Sequence, residues 1–272
     1  MPEEMNMSDA EFGQYQQLIY DTCGINFTAP KKQLLISRLR KRMNVMKIPS
    51  FRAYREHVTN PMHKDEFTLM LNAVSTNKTD FFRESVHFDF LIKNVYPRMT
   101  GQRDIRIWSA ACSSGEESYT LGMTLLEHFG NNRSKNIKIL STDISTKVLD
   151  EAERGIYSTA QISPVPQPLL RKYFLKGSNQ WSDHYLVKDC LKELTYFRRL
   201  NLMEKFPLSV TFDFIFCRNV MIYFDKITRE RLVANLAEQL TRGGYLFIGN
   251  AESLSGIKTT LKYVQPAVYQ KL

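Results

Sequence analysis

The run Ile105-Arg106-Ile107-Trp108-Ser109-Ala110-Ala111-Cys112-Ser113-Ser114-Gly115-Glu116-Glu117 joins a short apolar strand to a turn of small residues and a helix start. Such a junction is the ligand-binding corner of an open α/β sheet. Its phosphate-binding version needs three glycines, for the turn, the close backbone approach and the helix packing. Here Gly115 is the single glycine. Glu116 and Glu117 occupy the helix N-terminus that would otherwise receive a phosphate. A pyrophosphate would be repelled there; a cationic nucleoside without phosphate would not. S-adenosylmethionine, with its sulfonium and amino groups, has that chemistry. Glu117 is the carboxylate expected to touch it, and Glu116 the one expected to cap the helix.

Further chemistry sits at predicted strand ends. Asp143 closes the run Ile137-Lys138-Ile139-Leu140-Ser141-Thr142-Asp143, where a carboxylate can accept both ribose hydroxyls of a nucleoside; capping the next helix is its alternative role. Phe212-Asp213-Phe214-Ile215-Phe216-Cys217 ends in Arg218-Asn219, which would face the same crevice unless the pair is purely structural. Tyr223, four residues on, either covers the reacting centre or packs in the core. No Cys/His pair or Ser/His/Asp order suggests a nucleophile. A carboxylate acceptor would need none, because it is already nucleophilic at neutral pH and requires only orientation and an electrostatic partner. Arg83, whose planar fork matches a carboxylate, is the candidate partner, against the alternative of a surface arginine.

Two kinds of scaffold must position these residues. Residues 1–75 read as helical. Ser8-Asp9-Ala10-Glu11 fits a capping box, followed by Phe12, Tyr15, Leu18 and Ile19 at helical spacing. A second helix between Pro30 and Pro49 carries Leu34, Leu35, Leu39, Met43 and Met46, a third Phe51, Tyr54 and Val58, and a fourth Phe67, Met70, Leu71 and Val74. Residues 76–102 connect this bundle to residues 103–272. There, strands are expected at 104–110, 137–142, 212–217 and 244–249, and helices at 116–129, 145–154 and 226–241, with Arg242-Gly243-Gly244 as a helix stop. That alternation predicts a doubly wound, Rossmann-like α/β sheet. Pro164, Pro166 and Pro168 interrupt it. Tyr185–Val187, Leu191–Leu194 and Thr195–Phe197 then read as short antiparallel strands, so a small β insertion is expected at about 160–200, with an irregular loop as the alternative.

At 272 residues, 43% hydrophobic and 12% aromatic, the chain has the composition of a globular protein. No apolar run reaches the roughly 18–20 residues of a membrane span, and Met1-Pro2-Glu3-Glu4 does not read as a signal peptide, so no membrane insertion and a cytoplasmic location are expected. Cys23, Cys112, Cys190 and Cys217 are far apart and read as reduced thiols; the five histidines form no ligand pattern, and no metal is expected. The net charge of +9 is uneven: residues 31–64 hold ten Lys/Arg against one acid, Glu56. A partner surface of negative charge fits that block, as would a solvated helix face or a nucleic-acid patch.

In order along the chain stand Asn77-x-Thr79-x-Phe81-Phe82-Arg83, Trp108–Glu117, Ser141-Thr142-Asp143-Ile144, Asn201-Leu202 and Phe216–Phe224. With these motifs the chain closely resembles the chemotaxis receptor methyltransferases, the CheR family, over nearly its whole length. The resemblance implies a helical N-terminal domain, a doubly wound methyltransferase domain and a small β subdomain inserted in it. It implies transfer of a methyl group from S-adenosylmethionine to glutamate side chains of bacterial chemoreceptors, a protein-glutamate O-methyltransferase. Asn77, Thr79, Arg83, Glu117, Asp143, Asn201, Leu202, Arg218 and Asn219 would contact the cofactor, with Asp143 on the ribose and Asn201-Leu202 flanking the adenine. Arg83 and Tyr223 would lie nearest the reacting groups. Arg38, Arg40, Lys41 and Arg42 would dock the acidic receptor methylation helices, with no nucleic acid involved. Some family members bind a receptor tail peptide through a glycine-containing loop of the β subdomain; Lys188–Leu194 lacks one, which predicts a tether-independent enzyme. The competing expectations are a methyltransferase acting on RNA or another protein, and a non-catalytic module that binds S-adenosylmethionine. The missing aromatic single-strand platform weighs against RNA.

Overall fold

The structure, a computed structural model, describes residues 6–130 and 135–272. Its N-terminal part packs α1 (Asp9–Cys23), α2 (Lys32–Met46), α3 (Phe51–Thr59) and α4 (Lys64–Val74) around one apolar core. The capping box forms: the Glu11 amide donates to Ser8 Oγ at 3.2 Å and the Ser8 amide to Glu11 Oε2 at 2.9 Å. Gly24, left-handed, ends α1. The buried stripe of α2 is Leu35, Ile36, Leu39 and Met43; Leu34 and Met46 are exposed, so the helix is rotated from the expected face. Glu66 of α4 is buried because Arg42 and Tyr54 both bond its carboxylate.

A turn at 81–85 and the short α5 (Val86–Phe90) lead into the sheet. The chain then runs β1 (Asp104–Ala110), α6 (Glu116–Phe129), β2 (Asn136–Asp143) and α7 (Thr146–Arg154). A small antiparallel sheet follows, built of β3 (Ile156–Ser158), β4 (Phe174–Lys176) and β5 (His184–Val187) in the order β3-β5-β4, with α8 (Thr159–Ile162) and α9 (Gln167–Tyr173) between its strands. Pro168 does not break α9; it sits in the first turn, where its missing N–H is not needed. α10 (Asp189–Lys192) and β6 (Thr195–Arg199) return to the large sheet, which is completed by β7 (Phe212–Cys217), α11 (Lys226–Gln239), β8 (Leu240–Phe247), β9 (Leu261–Gln265) and β10 (Val268–Lys271).

The large sheet has the order β6-β2-β1-β7-β8-β10-β9. Its first five strands are parallel; β10 pairs antiparallel with β8, and β9 with β10. Alternate residues feed opposite cores: Ile105 and Ile107 pack against α6, Trp108 and Ala110 against α11. After β1 the chain builds outward through β2 to β6, then returns to lay β7 on the other side of β1. The loops after β1 and β7 therefore diverge and leave a crevice at the strand carboxyl ends.

Four expectations need correction. The segment 191–194 is helix and turn, not strand. Thr195–Phe197 belongs to the large sheet, parallel to β2, and not to the small one. Strand β8 begins at Leu240, and the Arg242-Gly243-Gly244 stretch is a bulge inside it, with Gly243 at φ 82°. Lys188–Leu194, read as a loop of the small sheet, follows its last strand and forms α10 and a turn, whereas the connection from β4 to β5 contains Gly177.

Candidate active site

Backbone conformation shapes the crevice first. Ala111, Ser113 and Gly115, in the loop after β1, all lie in the left-handed region, at φ 66°, 51° and 93°. Alternation of this kind turns successive amides into a concavity suited to an anion. Here the anion is internal: the Ser113 amide donates to Asp143 Oδ2 at 3.0 Å. The Ser145 amide takes Asp143 Oδ1 at 2.9 Å. A carboxylate of the chain thus fills the place of a phosphate, and each of its oxygens keeps a lone pair for a further donor. Burial pushes the Asp143 carboxyl up, and the two amides pull it back in part.

Gly115 is needed for space as well as torsion. A Cβ there would stand 2.9 Å from Ala152 Cβ and 3.1 Å from Tyr157 Oη. Gly115→Ala is therefore expected to destabilise the chain by about 3 kcal/mol, from left-handed strain and overpacking together. A denaturant-midpoint shift below about 1 kcal/mol would show that the loop can move aside.

Ser109 of β1 and Arg218 after β7 fix Glu117. Ser109 Oγ donates to Oε1 at 2.6 Å and Arg218 Nη1 to Oε2 at 3.0 Å. Desolvation raises the Glu117 carboxyl, with Arg218 opposing it. Glu116 is buried at the start of α6, where its carboxylate accepts from Ser114 Oγ at 2.8 Å; among the described residues it makes no cap bond to another residue's amide. The Arg218 guanidinium lies against the rings of Phe88 and Phe216, 5.8 and 5.6 Å from their centroids. Its Nη2 donates to Glu84 Oε2 at 3.0 Å and to the Arg83 carbonyl. Its buried Nε has no partner among the described residues.

Asn219 is also left-handed, at φ 58°. Its amide donates to Glu252 Oε2 and its side chain to Glu84 Oε1. Glu252 gathers the amides of Gly249 and Ile222 as well, so one carboxylate pins the ends of β7 and β8 together. Asn77 lies across the β1 loop, with its carbonyl accepting from Ser113 Oγ at 2.8 Å. Arg83 is half-buried, and its guanidinium donates to the Lys78 carbonyl at 2.7 Å, with no ion pair among the described residues. Tyr223 is held through its carbonyl by the Asn26 amide, and the Lys31 ammonium stands 5.6 Å from its ring centroid.

Of these, Asn77, Arg83, Glu117, Asp143, Arg218, Asn219 and Tyr223 line one crevice of about 960 Å³, mouth included, and so do Thr79, Asn201 and Leu202. Every residue singled out as a site candidate is therefore brought together. Ile25, Ile144, Leu200, Val220 and Phe224 supply apolar walls. Asn201 is spent internally: Nδ2 donates to the Thr22 carbonyl and to Glu204, and Oδ1 accepts from the Met203 amide. The sequence reading did not mark Glu84, Glu252 or Ile25. Glu84 directly follows Arg83 in a motif already noted and carried that signal; Glu252 and Ile25 had none.

A family model described as the CheR methyltransferase SAM binding domain matches residues 77–269, and one described as the CheR methyltransferase all-alpha domain matches residues 10–75. The chain belongs to the CheR methyltransferase family. It is similar to a chemotaxis protein methyltransferase of Borreliella burgdorferi, 42% identical over 98% of this chain and 96% of that one. It is similar too to chemotaxis protein methyltransferase 2 of Pseudomonas aeruginosa, at 36% over 98% and 95%, and to the Escherichia coli chemotaxis protein methyltransferase, at 33% over 99% and 93%. As a CheR-family chain it is an S-adenosylmethionine-dependent methyltransferase with an all-α N-terminal domain. The crevice fits that cofactor: apolar walls suit a nucleobase, the buried Asp143 retains free lone pairs, and Arg218 Nε is an unused buried donor.

The basic face of α2 is less available than its composition suggests. Arg38 turns inward to the carbonyls of Val74 and Ser75 and to Thr76 Oγ1. Arg42 is bound to the buried Glu66. Lys41 is exposed. Among the described residues, no helix is long and apolar enough to cross a membrane.

Proposed function

We propose that the chain methylates glutamate side-chain carboxylates of bacterial chemoreceptors in the cytoplasm, forming glutamyl methyl esters during chemotactic adaptation. The observation that carries this reading is Arg83: a guanidinium at the crevice, without an ion partner among the described residues, beside a site lined by no histidine. Such a site suits an acceptor that needs a cationic clamp and no base. S-adenosylmethionine supplies an electrophilic methyl group on a sulfonium.

The chain's own residues then orient and enclose. Arg83 aligns the acceptor carboxylate by two parallel hydrogen bonds, and Tyr223 covers the reacting centre from the N-terminal-domain side. Asp143 accepts the ribose hydroxyls. Leu202 flanks the adenine through its side chain, and Asn201 through its backbone, since its side chain is engaged. Asn77, Thr79, Glu117, Arg218 and Asn219 hold the remaining cofactor atoms. Acidic receptor helices approach along α2, where Lys41 offers charge and Arg38 shapes the crevice wall from behind.

Receptor-containing membranes incubated with the enzyme and methyl-labelled S-adenosylmethionine are expected to gain label that mild base releases as methanol. Label that survives base, or enters RNA, would replace the glutamate assignment.

A further inference from the structure

The rotation of α2 leaves Leu34 44% exposed while Ile36 is buried. Where Leu34 stands follows from its neighbours. Lys31, Leu34 and Arg38 succeed one another at three- and four-residue spacing, so they share one face. The Lys31 ammonium stands over the Tyr223 ring, 5.6 Å from its centroid. Arg38 donates to the Ser75 carbonyl at 3.0 Å and to Thr76 Oγ1 at 2.9 Å. Tyr223, Ser75 and Thr76 all line the crevice. Leu34 therefore sits at the crevice mouth, between two points where α2 meets its wall. On the Tyr223 side the rim offers a second bare apolar group, Ile222, 51% exposed, whose amide donates to Glu252 Oε1 at 3.2 Å. Neither side chain belongs to the apolar core on which its own element packs.

The mouth also carries charge. Lys78 and Arg83 line it and Lys31 adds a third cation, against the exposed Asp80. Glu117 and Asp143 lie deeper, engaged by Arg218 and by backbone amides. An acceptor that enters this crevice through a glutamate side chain must lay its own backbone across the mouth. A helix is about 10 Å wide, so it covers the rim on either side of the side chain it inserts. What it covers here is a pair of aliphatic groups in a mainly cationic surround. That surface matches an acidic helix with an apolar residue within a turn of its acceptor glutamate.

We infer that Leu34 and Ile222 form an apolar docking ledge for the acceptor helix, one residue from each domain, which seats the acceptor glutamate over the crevice. This rests on the glutamate-acceptor reading and supplies the apolar half of the recognition. Burying a half-exposed aliphatic side chain is worth roughly fivefold in affinity. The ledge touches neither the cofactor nor the reacting atoms, so its loss is felt in receptor binding alone.

The test is steady-state methylation of receptor-containing membranes by the full chain, with calorimetric S-adenosylmethionine binding beside it. Leu34→Ser and Ile222→Ser are each expected to raise the KM for receptor about fivefold, and together about twentyfold, with kcat and cofactor affinity unchanged. Leu34→Met and Ile222→Leu keep the apolar area and are expected to stay within about twofold of the wild-type KM. Added salt should raise KM by the same factor in wild type and variants, because the lost contacts carry no charge. Val264→Ser, on the exposed edge strand β9, controls for the loss of any surface aliphatic and should leave KM unaltered. An unaltered KM in the double variant, a loss confined to kcat or cofactor affinity, conservative variants as poor as the serines, or an equal rise in Val264→Ser would overturn the ledge. Wild-type label that resists mild base would overturn the glutamate reading and the ledge with it. Base-labile label with an unaltered double variant would overturn the ledge alone.

Discussion

Arg83→Ala is expected to lower methyl transfer to receptor by about 10²- to 10³-fold, the usual cost of removing a preorganised charge from a reacting centre. The size follows from the absence of an alternative. Among the described residues no histidine lines the crevice, Arg218 is already flanked by Glu84 and Glu117, and Lys78, the other cation of the lining, is a point charge without the planar fork that aligns a carboxylate at two points. Arg83 makes one hydrogen bond through its side chain, to the Lys78 carbonyl, which leaves most of its fork for substrate. That single contact also predicts a small stability effect, within about 1 kcal/mol. Arg83→Lys should recover the charge but not the two-point alignment, and so only part of the rate. Single-turnover methylation on receptor membranes, with a thermal melt of each variant, separates rate from folding. Unchanged turnover in Arg83→Ala would remove the residue from the mechanism.

If Asp143 holds the ribose as proposed, Asp143→Ala is expected to weaken S-adenosylmethionine binding by about 10²-fold, through loss of the acceptor for two hydroxyls. It should also destabilise the fold by about 2–4 kcal/mol, since the buried amides of Ser113 and Ser145 lose their partner. The two effects answer the question that the sequence left open at this position. A cofactor role predicts loss of both affinity and stability. A capping role alone predicts a lower denaturation midpoint with unaltered affinity per folded molecule. Asp143→Asn keeps one acceptor oxygen and should fall between. Calorimetric binding beside urea unfolding distinguishes the cases.

Much of the architecture was legible because its signals are local. The Ser8 capping box, the apolar spacing of α3 and the run from β1 into α6 each depend on residues within a turn or two of one another. The rotated face of α2 was not legible: Leu34 and Ile36 are both apolar, and tertiary packing alone chose to bury Ile36. The β9–β10 hairpin was missed for a related reason. Lys262, Tyr263 and Val264 are exposed at an edge strand, so the inside-outside alternation that marks a strand is blurred there. Thr195–Phe197 was seen as strand, but a strand's own sequence does not name its partner; only packing beside β2 assigned it.

The candidate site divides in the same way. The sequence by itself determined which residues stand at the turns and strand ends: Gly115, Glu117, Asp143, Arg218, Asn219. Sheet topology carries all such ends to one edge, so they had to converge. Only the tertiary structure decided what each charge faces. Arg218 meets Glu117 and Glu84 across 101 and 134 residues of chain. Asp143 fills the β1 loop, Asn201 turns to Thr22, and Arg38 leaves the basic face for the end of α4. Backbone conformation is set by neighbours in sequence, whereas the partner of a buried charge is set by whichever group the packed fold brings within about 3 Å.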